Sequence, residues 1–557
     1  MPQIDPNTAS LGQFDFVIVG GGTAGCVLAN RLSSNGKHTV LVLEAGSNTH
    51  EEVLNVRIPL FNSKLKNTNA DWKLKSTAQS CADGRYIGVP QGKILGGSSA
   101  INACLSHRCS PSDYDAWNMP GWKYEQLKRY FCKAETFQDS VDIQTSHGYS
   151  GPLNVMQQRD DSLLGQHFTK ACEKYGVPQY HDMTDLPCQI GVTGIQSTVY
   201  EGERMSTGSA YLPPHIQHNR PNLFIALNCT VTNIIIDKDT NTVTHVEYSA
   251  GSEGKQYRVS VSREAVLSAG AILSPLLLLS SGIGSKSQLD SLGKQTIIDL
   301  PGVGKNLQNH WRVPLVHETT HPEMSLHHRI FEKEKESLER ITVSKEASAL
   351  SRAWPDAVAY MKVPNTPDNS SSLQTTPQIE LFTGGLALCK ELPSLKHIAC
   401  ATLLMVYIAP FSKGSVTLNP DKTANIDLGL LQDERDLECL EKGLQLSMQI
   451  ANDEEYNKNC IKRWILHPYH TNEKQDIRQY IRQHVDTLHH YAGTCKMGPV
   501  LDKDAVVDGD LKVHGIHNLR VVDASIFPIV PAGQICFPVI ACAEKASDLI
   551  LNYYNDH

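Results

Sequence analysis

The sequence contains no long run of clustered lysine and arginine; its 51 basic residues are outnumbered by 59 acidic ones, for a formal net charge of -8. Binding to nucleic-acid phosphates needs such clusters, so nucleic acid is not an expected partner. No stretch reaches the roughly 18 apolar residues of a membrane span. The first residues, MPQIDPNTASLGQ, lack the basic start and apolar core of a secretory signal, and a cytoplasmic location is the expectation. There are 15 cysteines, scattered from Cys26 to Cys542, but no CxxC pair. That pattern fits reduced, buried thiols better than a disulfide framework or a zinc site, and no metal is expected. The neighbours His327 and His328 have no partner at metal-ligand spacing. Asn228 and Asn369 stand in N-x-S/T triplets, which carry little weight without a signal. Repeats and low-complexity segments are also lacking.

What is present is a chain of 557 residues, long enough for two or more substructures and a large buried cofactor. The run Phe14 to Gly20 is apolar and β-branched, as suits a strand covered on both faces. Ala24, Val27, Leu28 and Leu32 follow at helical spacing, Asn35-Gly36 stops that helix, and Thr39 to Gly46 reads as a second buried strand. Strand, helix and strand within about thirty residues form a right-handed βαβ unit. Its turn is Gly20-Gly21-Gly22-Thr23-Ala24-Gly25, a G-x-G-x-x-G that lets backbone approach a pyrophosphate at a helix N-terminus. Glu44, at the end of the second strand, suits a ribose diol and would repel a 2'-phosphate. These features identify a dinucleotide without separating NAD from FAD.

Further on, strand-like runs stand at Leu223 to Leu227 and Val231 to Asp237. The block Glu264 to Gly284, broken by Pro275 and glycines, reads as strand, turn and buried helix. From His321 to Gln483 the chain is charged and less regular, with a helix expected around Glu434 to Ala451. NLRVVDASIFP then reads as strand and turn, and VIACAEKASDLIL as a closing amphipathic helix.

The segments GKILGGSSAIN (Gly92 to Asn102) and GAILSPLLLLSSGIG (Gly270 to Gly284) closely resemble the two signatures of the glucose-methanol-choline (GMC) family of FAD oxidoreductases. The resemblance continues, in family order, through LPGVGKNLQNH (Leu300 to His310), APFSKGSVTLNP (Ala409 to Pro420), HYAGTCKMG (His490 to Gly498) and LRVVDASIFP (Leu519 to Pro528). It implies an α/β fold like that of glucose oxidase: a Rossmann-type FAD domain with a doubly wound parallel sheet, and a substrate domain of antiparallel sheet and helices. The expected FAD domain is discontinuous (1–160, 205–315 and 485–557), and 161–204 with 316–484 form the substrate domain. Gly20, Gly22, Thr23, Ala24, Gly25, Glu44, Ala45, Gly97, Ser98, Asn102, Val231, Asp523 and Ala524 fall where that family holds FAD. Ile101 replaces the flavin-linking histidine of covalent members, so noncovalent FAD is expected. Ser106 and Cys109 depart from the residues usual near the flavin's reactive edge, which would reshape the substrate pocket.

The resemblance also implies the chemistry. Alcohol oxidation by hydride transfer to flavin N5 needs a base for the hydroxyl proton, and a histidine suits that task near neutral pH. The H-x-x-G-T-C match assigns this role to His490 rather than to its neighbour His489, which is expected to be structural or rim-facing. Gln534 stands where the family usually carries histidine or asparagine; an amide can stabilise a developing alkoxide but cannot titrate. The expected partners are a specialised organic alcohol, such as one of secondary metabolism, and oxygen or another electron acceptor. Because Gln534 departs from the pattern, a lyase, cyclase or photodecarboxylase reaction that keeps FAD without net oxidation stands as the alternative.

Overall fold

The computed structural model describes residues 4–48, 54–139, 146–158, 162–251, 254–341, 348–366, 376–389, 395, 397–469 and 476–555. Asn369 lies outside these, as do the side chains of His327 and His328. Two sheets organise the described residues. The strand Gln13–Val19 lies in the first, parallel to Val40–Leu43 on one side and to Lys255–Leu267 on the other. Leu223–Ala226 extends that sheet beyond Val40–Leu43, and Leu519–Val521 pairs with the end of Lys255–Leu267, both parallel. All four residues of Val40–Leu43 are buried, which explains why the run is continuously apolar rather than alternating. Lys255–Leu267 is long enough to serve twice: its first half joins an antiparallel meander with Thr242–Ala250 and Cys229–Asp237, its second half the parallel sheet. Segments some five hundred residues apart thus share one sheet.

The helix Thr23–Ser33 packs against the closing helix Cys536–Asn555. Glu544 on the latter is fully buried, yet it receives Arg31 at 2.7 Å and the Tyr211 hydroxyl at 2.8 Å, which meets the condition for burying a charge. The apolar block after Glu264 forms the helix Gly270–Ser280 in spite of Pro275. Proline removes the amide that would bond the Ala271 carbonyl, and the Thr494 hydroxyl donates to that oxygen instead, at 2.5 Å. Two motifs far apart in sequence are fastened together at that point.

The second sheet is antiparallel, in the order Ile461–Leu466, Trp311–Thr319, Cys400–Tyr407, Ile379–Gly384, Ala357–Met361 and Gly191–Gly194. Asp486–Thr487 also pairs with the start of Trp311–Thr319. Four of these strands lie in the region whose sequence reads as irregular, and three of them, Ala357–Met361, Ile379–Gly384 and Cys400–Tyr407, are buried at every position. Long polar connections separate those short apolar runs and hide their regularity. The helix expected near Glu434 spans Glu434–Asn452 and packs on Cys400–Tyr407. The strand Trp311–Thr319 runs across the expected boundary at 315, and Asp486–Thr487 pairs with it in the second sheet. We propose to divide the lobes near His310 and Leu488.

Candidate active site

A cavity of about 830 Å³ lies where the two sheets meet. Gly22, Thr23, Ala24, Gly97, Ser98, Ser268, Asp523 and Ala524 line one part of it, and His490, Gln534, Phe382 and Leu404 another. The sequence-expected Asn102 and the departure Ile101 also face it. Gly20, Gly25, Glu44, Ala45 and Val231 do not. Gly20 and Gly25 shape the turn beneath: a Cβ on Gly25 would fall 1.9 Å from the Gly20 carbonyl oxygen. Glu44 is turned onto the turn itself, accepting from the Gly21 and Gly46 amides at 2.8 Å each, and burial raises its carboxyl to about 7. Val231 is held in the meander opposite Tyr248, and Ala45 adjoins the strand end.

These residues fit FAD. The helix Thr23–Ser33 starts at Gly22 with no side-chain cap, so its first amides face the cavity as unpaired donors beside the positive end of the helix. The Ser268 hydroxyl, another lining residue, is buried without a hydrogen-bond partner. Gly97 has φ +53° and approaches the turn so closely that a Cβ there would lie 2.6 Å from the Gly22 Cα. Backbone on both sides is therefore bare where a pyrophosphate would run. Asp523 is fixed by the Gly270 amide at 2.9 Å and the Ser274 hydroxyl at 2.6 Å. With Ile101 in the wall, no histidine is available at the flavin-linking position.

At the other end, the strand entry Gln308–His310 grips the H-x-x-G-T-C segment. Gln308 and Ala492 exchange backbone hydrogen bonds at 2.9 and 3.0 Å, Leu488 donates to the His310 carbonyl at 2.9 Å, and the His490 amide donates to Asn309 Oδ1 at 2.8 Å. His489 adopts φ +68°, a left-handed conformation that sends two consecutive histidines to different neighbours. The His489 ring meets Lys66 Nζ at 3.1 Å, whereas His490 Nδ1 meets His310 Nδ1 at 2.8 Å. When His490 donates through Nδ1, its Nε2 lone pair is left to take a proton. Burial pushes the imidazole down to about 4, against a hydrogen bond to the Gln534 side-chain oxygen that favours the protonated form. His310 is fully buried and was missed in the sequence, although it closes the LQNH motif.

Gln534 is not free to fill space. Its Nε2 donates to Glu380 at 3.3 and 3.5 Å, and its side chain also reaches His490. Glu380 is fully buried on Ile379–Gly384, and desolvation raises its carboxyl to about 8 against hydrogen bonds from Gln534 and Tyr360. It is accordingly a neutral acid at pH 7. Glu380→Gln should then leave flavin reduction within about twofold, whereas Glu380→Leu, which orphans the Gln534 amide, should slow it roughly tenfold for a loss of about 1.4 kcal/mol. Rapid-mixing reduction rates check the contrast; equal rates in both variants would remove Glu380 from the site. Nothing in the sequence pointed to Glu380, since one acid in an apolar run has no motif. Ser106 and Cys109 do not line the large cavity, contrary to expectation. Ser106 faces a separate void of about 40 Å³ with His107 and Tyr360, and Cys109 lies buried with Sγ 3.9 Å from the Gln534 carbonyl.

Comparison with known proteins agrees with this geometry. Residues 14–312 and 410–543 match the two parts of the GMC oxidoreductase family. The chain is 32% identical to the chloroplastic fatty acid photodecarboxylase of Chlamydomonas reinhardtii, over 97% of this chain and 90% of that one. It is also 32% identical to mitochondrial choline dehydrogenase of Mus musculus, over 99% and 91%. The crystal structure of pyridoxine 4-oxidase from Mesorbium loti superposes with a TM-score of 0.84 at 29% identity, covering 98% of this chain and 99% of that one. The chain belongs to the GMC oxidoreductase family, as an FAD-dependent enzyme that acts on the CH–OH group of a small molecule.

Proposed function

We propose that the enzyme oxidises an organic alcohol with His490 as the base. The observation that carries this reading is the His310–His490–Gln534 arrangement at one end of a cavity whose other end fits FAD. FAD, when bound, supplies a two-electron acceptor. His490 takes the hydroxyl proton at Nε2. The Gln534 carbonyl steadies the resulting imidazolium, and the amide hydrogen not given to Glu380 is available to the substrate oxygen. Phe382, Leu404 and Trp354 form an apolar wall that keeps water from the reacting carbon. Oxygen or another acceptor then removes the electrons. We place the enzyme in the reducing cytosol, in keeping with 15 cysteines, ten of them buried. No described helix is long and apolar enough to cross a membrane.

The test is an anaerobic screen of alcohols against the flavin spectrum, with and without light. Bleaching by an alcohol in the dark supports the reading. Turnover with the flavin left oxidised would replace it with lyase, cyclase or decarboxylase chemistry, the direction in which the photodecarboxylase relative and the non-titrating Gln534 point. The pH profile supplies a second check. Because burial depresses the His490 imidazole to about 4, the base form is present above that value and lost as pH falls through it. Reduction by a non-ionising alcohol should therefore hold its rate down to about pH 5.5, where an ordinary histidine of pKa near 6.5 would already be mostly protonated. An acid limb centred at 6.5 would show that the base is solvated or is another group.

A further inference from the structure

The charged side chains around the cavity are lopsided. Among the described residues, Lys64, Lys66, Arg85 and Arg312 line it against two carboxylates, Asp486 and Asp523. Asp523 is committed to Gly270 and Ser274 at the cofactor end. Asp486 pairs with Arg312 at 3.0 Å. Arg85 is fixed by the backbone carbonyls of Arg482 and Val485 at 2.7 and 2.8 Å, a hydrogen-bonded cation with no carboxylate bound to it among the described residues. Lys66 lines the cavity, and its ammonium meets the neutral ring of His489 at 3.1 Å. Arg312 and Pro314, two residues apart on one strand, both face the same space.

We infer that Lys66 and Arg312 form a subsite for the anionic group of the substrate, and that the alcohol is a hydroxy acid or another alcohol carrying a carboxylate. This rests on the alcohol-oxidation reading for the hydroxyl and on the cavity charges for the anion. The placement suits one molecule bridging both sites. Lys66 meets His489, the chain neighbour of the proposed base, and Arg312 stands two residues after His310, which contacts that base. A two-residue step in a strand is about 7 Å, so a short carbon spacer separates the anion from the reacting carbon. Lys66 makes no ion pair among the described residues. Burial and the nearby Arg312 lower its ammonium to about 8, only partly offset by Asp486 and Asp71. A carboxylate in the cavity would supply the missing charge, whereas a permanent cation such as choline meets repulsion there.

The test uses the FAD-loaded enzyme in the dark at constant ionic strength, titrated with hexanoate, methyl hexanoate and hexyltrimethylammonium, and read as perturbation of the flavin absorption band. Hexanoate carries no hydroxyl, so binding is measured apart from oxidation. The expected result is hexanoate binding at least about tenfold tighter than the ester and no binding of the ammonium compound, with Lys66→Met and Arg312→Leu each weakening hexanoate about tenfold or more while FAD content stays unchanged. Equal binding of acid and ester would overturn the subsite. So would variants that lose FAD instead of hexanoate affinity, because the charges would then serve the cofactor. If hexanoate binds but 6-hydroxyhexanoate and shorter hydroxy acids leave the flavin oxidised, the anion subsite stands and the alcohol-oxidation reading falls.

Discussion

His490→Ala should slow reduction of the bound flavin by roughly 10²- to 10⁴-fold, the usual worth of a positioned general base, while leaving FAD in place. The site offers no obvious substitute. His489 is engaged with Lys66 and held neutral by burial and by neighbouring cations; His310 is enclosed, does not line the cavity, and is likewise held neutral. Gln534 cannot titrate, and Glu380 is a neutral acid behind it. Alanine leaves the His310 Nδ1 without its partner, at a cost of about 1–3 kcal/mol, so thermal unfolding and flavin content are measured alongside. Substrate reduction is followed anaerobically by the bleaching of the flavin. If the folded, FAD-loaded variant bleaches near the wild-type rate, the hydroxyl proton leaves to some other group and His490 is structural. His489→Ala is the companion variant: it removes the neighbouring imidazole while sparing the base, and its effect should appear in substrate affinity rather than in the rate of reduction at saturation.

How much of this was legible beforehand depends on the range of the physics. The βαβ unit, the phosphate turn and the helix after Lys255–Leu267 follow from local rules of burial, glycine placement and period, and they stand where the sequence put them. His490 and Gln534 were legible through motif order, and the structure brings them together across the cavity. Three things were not legible. Glu380 acquires its role only because strand pairing buries it against Gln534, a contact spanning 154 residues. The family resemblance implied an antiparallel second sheet, but its strands could not be located in the sequence because their short runs are separated by polar connections and no window shows a period. Ser106 and Cys109 follow the first signature closely in sequence, but the chain turns them away from the cavity, which spacing alone does not reveal. Long-range pairing decided each of these outcomes, and one sequence carries little direct record of it.

The same reasoning makes the phosphate turn the most exacting part of the molecule, and Gly25→Ala is the change that should empty it. The added Cβ would sit 1.9 Å from the Gly20 carbonyl oxygen and 3.4 Å from Ile18, against backbone rather than a flexible side chain. Neither partner has room to give. Gly20, at φ +99°, is anchored by its amide on the Leu43 carbonyl at 2.9 Å, and Ser268 lies close enough that a Cβ on Gly20 would fall 2.7 Å from its carbonyl oxygen. The helix is anchored at its far end by Arg31 on the buried Glu544. The strain must therefore be released at the N-terminal turn, where Gly22, Thr23 and Ala24 present their uncapped amides to the cavity. Displacing those donors removes hydrogen bonds to a charged group, each worth about 1.5–3 kcal/mol, so FAD affinity should fall by more than about tenfold and the protein should purify largely colourless. Gly36→Ala is the control. Its φ of +70° costs an alanine on the order of 1 kcal/mol, but no atom lies within 4 Å of the new Cβ and the site is remote from the cavity, so flavin content should be unchanged. Absorbance of bound flavin relative to protein measures both. A Gly25→Ala enzyme that retained stoichiometric FAD would show that the helix start can move without surrendering the pyrophosphate, and that the close approach of strand and helix serves packing alone.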